Sequence, residues 1–433
     1  MEKCVPMAAG KNEDLKYEVS NNNNRINVHI ADDIAFSILS KLPIKSLKRF
    51  GCVRKSWSLL FENPYFMNML RNHFLYNNNR HCSDYGGDTF LFLYEPLRPH
   101  YYRASFYLLS NDKFEDRIKL DLPPPFDGED IAMYILSSVS VNGIFCLGKD
   151  TRRGIVNSFQ AALWNPATAE VMGIPPSPDE SVPPYRDPFF IFHGFGYDNV
   201  RDDYKLIRYI TFFQVVDEEE DVPYEDRSYD PLLQIYSLRS NSWRILDVNI
   251  PDGYDISMID FEKPVGVYMD GVCHWWGTTD FGNGEGYLVS FDLRNEVFFT
   301  TPTPVELDMD LSRDPISIEW PDAIDRRLVV LNESIALISN RFKATTFHIS
   351  ILVELGVKES WIKLFIVGPI PSLDWPIAVG KKGGICFRQT NDELVWIDLS
   401  TQIIDEIGVK GERYCYQMGI YKESLLCIGG IND

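Results

Sequence analysis

The chain has 433 residues, of which 45% are hydrophobic, and it carries a formal net charge of −20 at pH 7. A chain of this length can bury one large core or two smaller ones. The strong negative charge argues against direct binding to nucleic-acid phosphates, which requires a basic surface, and favours a basic protein as a partner. The sequence has no apolar leader in residues 1–27 and no run of about eighteen apolar residues that could span a membrane. These features predict a protein of the cytoplasm, the nucleus or both, without a membrane partner.

Residues 1–27 are polar and end in a run of asparagines, which predicts a disordered N-terminal segment. A helical pattern follows, with Asp32 as its cap and with Ile34, Ile38 and Leu42 recurring every four residues. Pro43 ends this helix and is acceptable in the first turn of another one. The sequence therefore predicts two short helices in immediate succession.

The second helical pattern presents Leu47 and Phe50, and a third one contains Trp57, Leu60 and Phe61. The three patterns together occupy residues 28–62, which is too short a unit to bury so many large apolar side chains by itself. We therefore expect another protein to cover them. The alternative is that these side chains form the core of a helical cap that packs on the rest of the chain.

Three short motifs in this segment have the order and spacing of an F-box, and they are Leu42-Pro43, Ser46-Leu47-Lys48-Arg49-Phe50 and Lys55-Ser56-Trp57. The segment departs from the F-box family at Ile30-Ala31, where the family usually has its own Leu-Pro. The resemblance implies docking on a Skp1-like adaptor and, through it, on a cullin ubiquitin ligase. It implies adaptor contacts by Ile30, Ile34, Leu42, Pro43, Leu47, Phe50 and Trp57.

The charge of this segment differs from that of the whole chain. Six lysines and arginines against three acids give residues 28–62 a charge of +3. A local basic face on an acidic protein suits an acidic docking surface, which is what the resemblance to an F-box implies for the adaptor.

Asn63 and Pro64 predict the start of a fourth helix, whose apolar side chains include Phe66, Leu70 and Phe74. We expect this helix to bridge the small unit and the rest of the chain. The sequence then divides into an F-box with its bridging helix over 28–75, a linker over 76–87 and a β domain over 88–433.

From about residue 88 the apolar periodicity changes to two, which is typical of strands. One short phrase recurs, in each case an apolar strand that ends at a leucine or proline and is followed by a return strand. The markers of its copies are Leu109, Pro166, Leu238, Leu293, Leu355 and Leu399. Their spacing of 44 to 72 residues is near the length of a four-stranded propeller blade with its loops. The sequence predicts a small helical unit followed by a large antiparallel β body, propeller-like with about six degenerate blades; two packed sheets are the alternative.

A second phrase begins with Asn142-Gly143, Asp270-Gly271 or Gly383-Gly384 and continues into apolar residues, which is a hairpin signal. Each copy has a cysteine shortly after the glycine, and these cysteines are expected to be core residues. The eight cysteines of the chain form no C-x-x-C pair, which favours buried thiols over a disulfide framework.

Several motifs of the β body resemble those of the F-box-associated (type 1) domain of plant F-box proteins, and they are Trp164-Asn165-Pro166-Ala167-Thr168, Phe195-Gly196-Tyr197-Asp198, Asp203-Tyr204-Lys205, Ser242-Trp243-Arg244, Gly271-Val272-Cys273-His274-Trp275 and Glu359-Ser360-Trp361. These motifs are similar to those of S-locus-F-box-like and F-box-kelch-type proteins. The resemblance implies a non-catalytic substrate-recognition subunit of an SCF-type (Skp1-cullin-F-box) E3 ubiquitin ligase, which binds a protein target through the β domain. The alternatives are a propeller-type enzyme or lectin with a helical cap, and a scaffold without ligase ties.

Motifs for catalysis, metal binding or cofactor binding are weak throughout the sequence. The glycine string at 282–286 precedes a strand pattern, so no helix would present amides to a phosphate. His81-Cys82 and Cys273-His274 put potential metal ligands side by side, but neighbours on a strand face opposite sides. No G-x-S-x-G elbow occurs. We therefore predict no metal, no cofactor and no active site.

The longest interval between markers contains an unusual acidic run. Its acids are Asp217, Glu218, Glu219, Glu220, Asp221, Glu225 and Asp226. The simplest interpretation is a solvated loop between strands. The sharper hypothesis is a loop that steers a basic target onto the β body.

Overall fold

The structure is a computed structural model. It describes residues 32–42, 46–47, 57, 59–60, 63–76, 89–94, 104–110, 114, 116–121, 132–151, 158–177, 184–214, 231–247, 266–278, 286–303, 324–341, 345–380, 383–410 and 416–428. The predicted disordered segment over 1–27 and the acidic run between 217 and 226 lie outside these ranges.

Helices α1 (Asp32–Leu39) and α2 (Pro64–Tyr76) precede the strands. The described strands form six four-stranded antiparallel sheets, which we number as blades in chain order. Blade 1 holds β1 (Thr89–Tyr94), β2 (Ser105–Ser110) and β3 (Asp116–Leu120). Blade 2 holds β4 (Ala132–Ile135), β5 (Phe145–Thr151), β6 (Ser158–Asn165) and β7 (Glu170–Gly173). Blade 3 holds β8 (Arg186–Asp198), β9 (Asp203–Gln214), β10 (Leu232–Ser237) and β11 (Ser242–Ile245).

The second half of the chain repeats the same arrangement. Blade 4 holds β12 (Val267–Met269), β13 (Val272–Thr278), β14 (Gly286–Asp292) and β15 (Val297–Pro302). Blade 5 holds β16 (Ile324–Leu331), β17 (Ser334–Arg341), β18 (Phe347–Leu352) and β19 (Trp361–Val367). Blade 6 holds β20 (Leu373–Val379), β21 (Gly384–Gln389), β22 (Glu393–Asp398) and β23 (Ile404–Lys410). A short 3-10 helix, Lys358–Ser360, lies between β18 and β19.

The last strand of the chain, β24 (Tyr416–Tyr421), completes blade 1 by pairing with β1, for example Phe90 with Ile420. The innermost strands of neighbouring blades contact one another, since β24 touches β4 and β20, β12 touches β8 and β16, and β16 touches β20. The strands therefore surround a central axis as a six-bladed propeller. The predicted propeller is confirmed, and the alternative of two packed sheets is wrong.

Buried apolar clusters fill the interfaces between neighbouring blades. One cluster joins Phe90 of blade 1 to Cys386 of blade 6, another joins Phe106 of blade 1 to Trp164 of blade 2, and others fill the remaining interfaces. Because a four-stranded sheet of short strands has too little core of its own, each blade depends on its two neighbours for burial.

The six markers of the first repeated phrase occupy equivalent places in the six blades. Each lies at the end of a blade's third strand or in the turn that follows it. In three blades a side-chain oxygen at the strand end accepts a hydrogen bond from the turn backbone: Asn165 Oδ1 from Ala167 N at 3.0 Å, Asp292 Oδ1 from Arg294 N at 2.8 Å and Asp398 Oδ1 from Ser400 N at 2.9 Å. These Asx turns explain why Asn or Asp precedes the marker.

In two of its three copies the second repeated phrase forms the tight turn between a blade's first and second strands. Asn142 and Gly143 have φ of 53° and 84°, and Asp270 and Gly271 have φ of 50° and 84°. Two successive positive φ values are the signature of a type I′ hairpin turn. The predicted hairpins are confirmed.

The cysteines that follow these turns are core residues, as predicted. Cys146 and Cys386 are fully buried and Cys273 is 1% exposed, and all three are free thiols. Burial raises the pKa of the Cys386 thiol to about 12, so the thiol stays protonated and unreactive at neutral pH.

The blade 6 glycine Gly384 leaves room for an aromatic ring. A Cβ at this position would lie 2.2 Å from Cε2 of Trp396, whose ring packs against Phe90 and Phe114 of blade 1. We expect Gly384→Ala to lower the free energy of unfolding by about 1 to 3 kcal/mol, because the ring must move within a packed interface. Chemical denaturation of the full chain measures this.

The matched control is Gly173→Ala, because nothing lies within 4 Å of a Cβ at Gly173. Its unfolding free energy should stay within about 0.5 kcal/mol of the parent value. Equal stability of the two variants would contradict the ring-packing argument.

Candidate functional site

Helix α1 has two apolar faces, one buried and one exposed. Ala35 and Leu39 are each 3% exposed and belong to a buried cluster, and the ring of Phe36 packs on that of Phe66 at 5.8 Å between centroids. Ile34 and Ile38, one position earlier on the helix, are each 54% exposed. The period-four stripe that the sequence singles out is therefore the outward face of α1 at these two residues.

The start of α2 follows the prediction from its first residues. The Asn63 side-chain oxygen accepts hydrogen bonds from the backbone of Tyr65 at 2.9 Å and of Phe66 at 3.1 Å, which caps the helix. Phe66 and Leu70 are buried. The cap thus fixes where the helix begins and which of its faces points inward.

Helix α2 packs on the outer strand of blade 5. The pairing of β19 skips Leu364, since Lys363 pairs with Ser350 and Phe365 pairs with Ile349. A bulge residue has no cross-strand partner, and the Leu364 carbonyl accepts a hydrogen bond from Nε of Arg71 on α2. Leu364 is also fully buried, although it lies on an outer strand.

The outer strands of other blades show how unusual this burial is. In β11 only Trp243 is buried, and in β23 only Ile407 is buried among the residues whose exposure the structure describes. In β19, by contrast, five of the seven residues are buried. Apolar side chains that precede the first blade share one buried cluster with blades 5 and 6, and they are Ala35, Leu39, Leu47, Leu60, Phe66, Met67 and Leu70.

The predicted adaptor-contact residues that the structure describes fall into three groups. Ile34 is exposed; Leu42 and Trp57 are half-buried against the shared cluster; Leu47 is 1% exposed within it. Ile30, Pro43 and Phe50 lie outside the described residues. The sequence analysis does not include Ile38 among the adaptor contacts. Its position four residues after Ile34, on the same face of the helix, is the sequence feature that indicates it.

The propeller has two unlike ends. Connections from a blade's first to second strand and from its third to fourth strand leave at one end, and most of them have two to five residues, as at 199–202, 270–271 and 293–296. We call this the short-turn end. Most connections at the opposite end are longer, such as that from β9 to β10, which contains the acidic run. We call it the long-connection end.

A buried ion network joins blades 3 and 4 at the short-turn end. Lys205, whose side chain is 3% exposed, places Nζ 2.9 Å from Asp198 Oδ2, 3.0 Å from Glu296 Oε1 and 2.7 Å from the Leu293 carbonyl. Its three donors are thereby used. The resemblance-bearing motifs around Asp198 and Lys205 thus have a structural role, because they bind one blade to the next.

The carboxylates of this network are held ionised. Burial alone would raise the pKa of Asp198, but hydrogen bonds from Lys205 and Arg201 outweigh it and hold the value at about 2. Burial and hydrogen bonds act in the same opposed way on Glu296, and the pKa of this group is lowered by Arg244 and Lys205. Both acids are therefore charged at neutral pH.

A search for metal-binding groups finds no set of three or more His, Cys, Asp or Glu side chains placed to hold an ion in the part of the chain that the structure describes. In the same residues no helix has both the length and the apolar character needed to cross a membrane.

Comparison with known proteins gives a consistent result. The sequence matches the family described as "F-box associated beta propeller domain" over residues 97–427. F-box protein CPR1 of Arabidopsis thaliana is 24% identical over 310 residues, which are 65% of this chain and 67% of the relative. One putative F-box protein of the same plant is 33% identical over 41% of this chain and 41% of the relative. Another is 26% identical over 83% of this chain and 79% of the relative. The chain thus spans from about two fifths to about four fifths of the length of these relatives.

Removing the Lys205 ammonium should unbalance the buried network. We expect Lys205→Met to lower the free energy of unfolding at pH 7 by about 3 to 5 kcal/mol, because two partly or fully buried carboxylates lose their shared cation. A carboxylate with a lowered pKa stabilises the fold above its ordinary pKa and loses that contribution as the pH falls towards the lowered value. The difference between variant and parent should therefore narrow from about pH 4 towards pH 2.

Denaturation at a series of pH values measures both effects. Lys119→Met is the matched control, because Lys119 is exposed on the outer strand of blade 1. A pH-independent difference for Lys205→Met would rule out the electrostatic explanation.

Proposed function

Because the chain belongs to the family with an F-box associated β-propeller domain, we propose that it is the substrate-recognition subunit of an SCF-type E3 ubiquitin ligase. In this proposal residues 28–62 dock on a Skp1-like adaptor, which connects the chain to a cullin, and the propeller binds a protein target. The chain itself makes and breaks no bond. Its contribution is proximity, because it raises the effective concentration of target lysines near the ubiquitin-carrying enzyme.

The half-exposed pair Ile34 and Ile38 carries the proposal. These side chains lie four residues apart on α1, so they form one apolar strip on the helix surface. The opposite side of the same helix is buried against the rest of the chain. The strip supports a partner contact because large aliphatic side chains gain about 1.5 to 3 kcal/mol each when they become fully buried.

The match to the propeller family begins at residue 97, so the F-box assignment has separate support. That support is the order of the motifs between Leu42 and Trp57 and the description of the relatives as F-box proteins. The packing of α2 on β19 adds a physical reason for the arrangement. A helical unit that is fixed to one blade would hold the propeller in a set orientation to the adaptor.

We further propose that the target binds at the long-connection end and that the chain works in the cytoplasm, the nucleus or both. Short turns leave little backbone to vary, whereas longer connections supply the side chains with which such scaffolds recognise ligands. The acidic run between 217 and 226 belongs to a connection at this end, and it would favour a basic target.

Truncating the apolar strip should weaken adaptor binding. For Ile34→Ala with Ile38→Ala we expect about thirtyfold weaker binding to a purified Skp1-like adaptor, since each half-exposed side chain loses about 1 kcal/mol of new burial. Calorimetric titration of the full chain measures the change. Retained affinity would exclude α1 from the contact.

The matched control changes two other exposed isoleucines, Ile118→Ala with Ile403→Ala. Their exposed fractions are 59% and 57%, and they lie on blades 1 and 6. This variant should bind the adaptor as the parent does. A loss in both variants would indicate a general effect of the substitutions and would count against the assigned face.

Removing the charge of the acidic run tests whether this run steers a basic target to the long-connection end. Replacing its seven carboxylates by their amides should slow capture of a basic target and flatten the dependence of the rate on salt, because electrostatic steering acts on the rate of association. The target is first identified by co-purification and mass spectrometry, and association is then followed by stopped-flow fluorescence. An unchanged association rate would dispose of the steering role.

A further inference from the structure

After β24 the chain continues across the short-turn end of the propeller. Residues 422–428 leave blade 1, cross blade 2 and reach the interface between blades 2 and 3. We call these seven residues the C-terminal strap. They follow the strand that completes blade 1, and they belong to no strand of any blade.

The strap starts beside the segment that follows the inner strand of blade 2. The Ser140 amide donates to the carbonyl of Ile420, near the end of β24, at 2.8 Å. The Lys422 amide then donates to the Ser140 hydroxyl at 2.9 Å. Beyond this point the strap lies directly on the tight turn of blade 2, because a Cβ at Gly143 would be only 2.5 Å from the Cβ of Ser424.

Asn165, at the end of the third strand of blade 2, holds the middle of the strap. This side chain is fully buried, and its Nδ2 donates to the carbonyls of Ser424 and Leu426, both at 2.9 Å. An amide nitrogen has two N–H donors, and here both are used. The Oδ1 atom accepts from the Ala167 amide and so caps the turn of its own blade. Asn165 thus binds its own turn and the strap together.

The residue types at the equivalent strand ends fit this double role. Blades 4 and 6 have Asp292 and Asp398 in the place of Asn165, and each of these acids accepts a hydrogen bond from its own turn. An ionised aspartate accepts hydrogen bonds but has no donor, whereas an amide has both. The donors are needed in blade 2, where two carbonyls of the strap lie against the side chain.

Ile428 is the apolar anchor of the strap. It is 1% exposed and lies in the cluster between blades 2 and 3 that includes Cys146. Its amide donates to Glu170 Oε2 at 2.9 Å. The side chains before it stay outside, since Leu425 is 78% exposed and Leu426 is 58% exposed. One side chain therefore supplies the buried apolar contact of the strap.

The contacts that hold the strap are few in comparison with those between blades. Its release breaks the hydrogen bonds made by Ser140, Asn165 and Glu170 and exposes one buried isoleucine. Separation of blades 2 and 3 would expose the whole cluster between them. A segment with few buried contacts opens at a lower free energy than the core does.

We propose that the C-terminal strap is a releasable closing device, which detaches from blades 2 and 3 while the six blades stay folded. The surface beneath it is then a peptide-binding site whose occupant is the chain's own residues 422–428. Release exposes an apolar slot between blades 2 and 3 and, on the strap, an aliphatic run from Leu425 to Ile428. The position of the strap thus sets how much apolar surface the short-turn end presents. The device does not depend on adaptor docking or on target binding.

The test measures how fast buried thiols of the full chain react with a maleimide at pH 7 without denaturant. Ile428→Cys, made together with Cys427→Ser, places a thiol at the anchor position, and a cysteine is a small apolar side chain that suits a buried site. Cys146 is the internal reference, because it is fully buried in the same cluster. Mass spectrometry of peptides separates the two reactions, and each rate is divided by the rate of the same thiol in denaturant.

We expect the thiol of the Ile428→Cys variant to react at least about a hundredfold faster than Cys146, because release of the strap leaves the cluster otherwise closed. It should still react at least about a hundredfold more slowly than in denaturant. Equal rates of the two thiols would show that the strap opens only when the propeller unfolds. A rate equal to that in denaturant would show that the strap is not seated. Either result would overturn the proposal.

Asn165→Asp tests how the strap is held, because it keeps the acceptor for the turn and removes both donors. In the Ile428→Cys background we expect the strap thiol to react about tenfold faster, since two hydrogen bonds are lost. The matched control is Asp398→Asn, the reverse change at blade 6, which should leave this rate within about twofold of the parent. An unchanged rate in Asn165→Asp, or an equal increase in the control, would count against the assigned seat. If Asn165→Asp does not fold by circular dichroism, the comparison with Cys146 decides alone.

Discussion

Apolar packing between neighbouring blades is the interaction on which the rest of the molecule depends. In the described residues each buried cluster spans two neighbouring blades, such as the cluster that joins Phe106 to Trp164. The helical residues follow the same rule. They add a further layer to the cluster between blades 5 and 6, because α2 covers the strand that would otherwise be an exposed outer edge. The proposed docking unit is thus continuous with the core of the propeller.

The packing of the helices on the propeller buries one part of their apolar surface and leaves another part exposed. The sequence alone predicts that a partner covers all of it, with a helical cap packed on the rest of the chain as the alternative. In the described residues Ala35 and Leu39 are covered by the chain itself, while Ile34 and Ile38 remain outside. The inner face of the helix fits the expectation of a cap packed on the rest of the chain, and the outer face stays exposed, where we propose that the adaptor binds.

Features that depend on local geometry could be predicted from the sequence. The Asn-Gly and Asp-Gly pairs at 142 and 270 need positive φ, and only a few residue types adopt it easily, so the pattern is visible in the text. The strand-end acids Asp292 and Asp398 bond within their own turns and directly precede Leu293 and Leu399, two of the six markers whose spacing predicts about six blades. Contacts across the chain left no such pattern. Arg71 and Leu364 are 293 positions apart, and Lys205 and Glu296 are 91 apart, so neither partner indicates the other.

The closure of blade 1 has a consequence for the synthesis of the protein. The edge of β1 pairs with β24, whose first residue is more than 300 positions further along the chain. At about 5 to 20 residues per second, a ribosome needs on the order of 15 to 65 seconds to cover that distance. During this interval β1 carries an unpaired and strongly apolar edge, which is a template for incorrect pairing. Nascent chains should therefore need a chaperone until the C-terminal strand emerges, and a chain that ends before residue 416 would keep the open edge permanently.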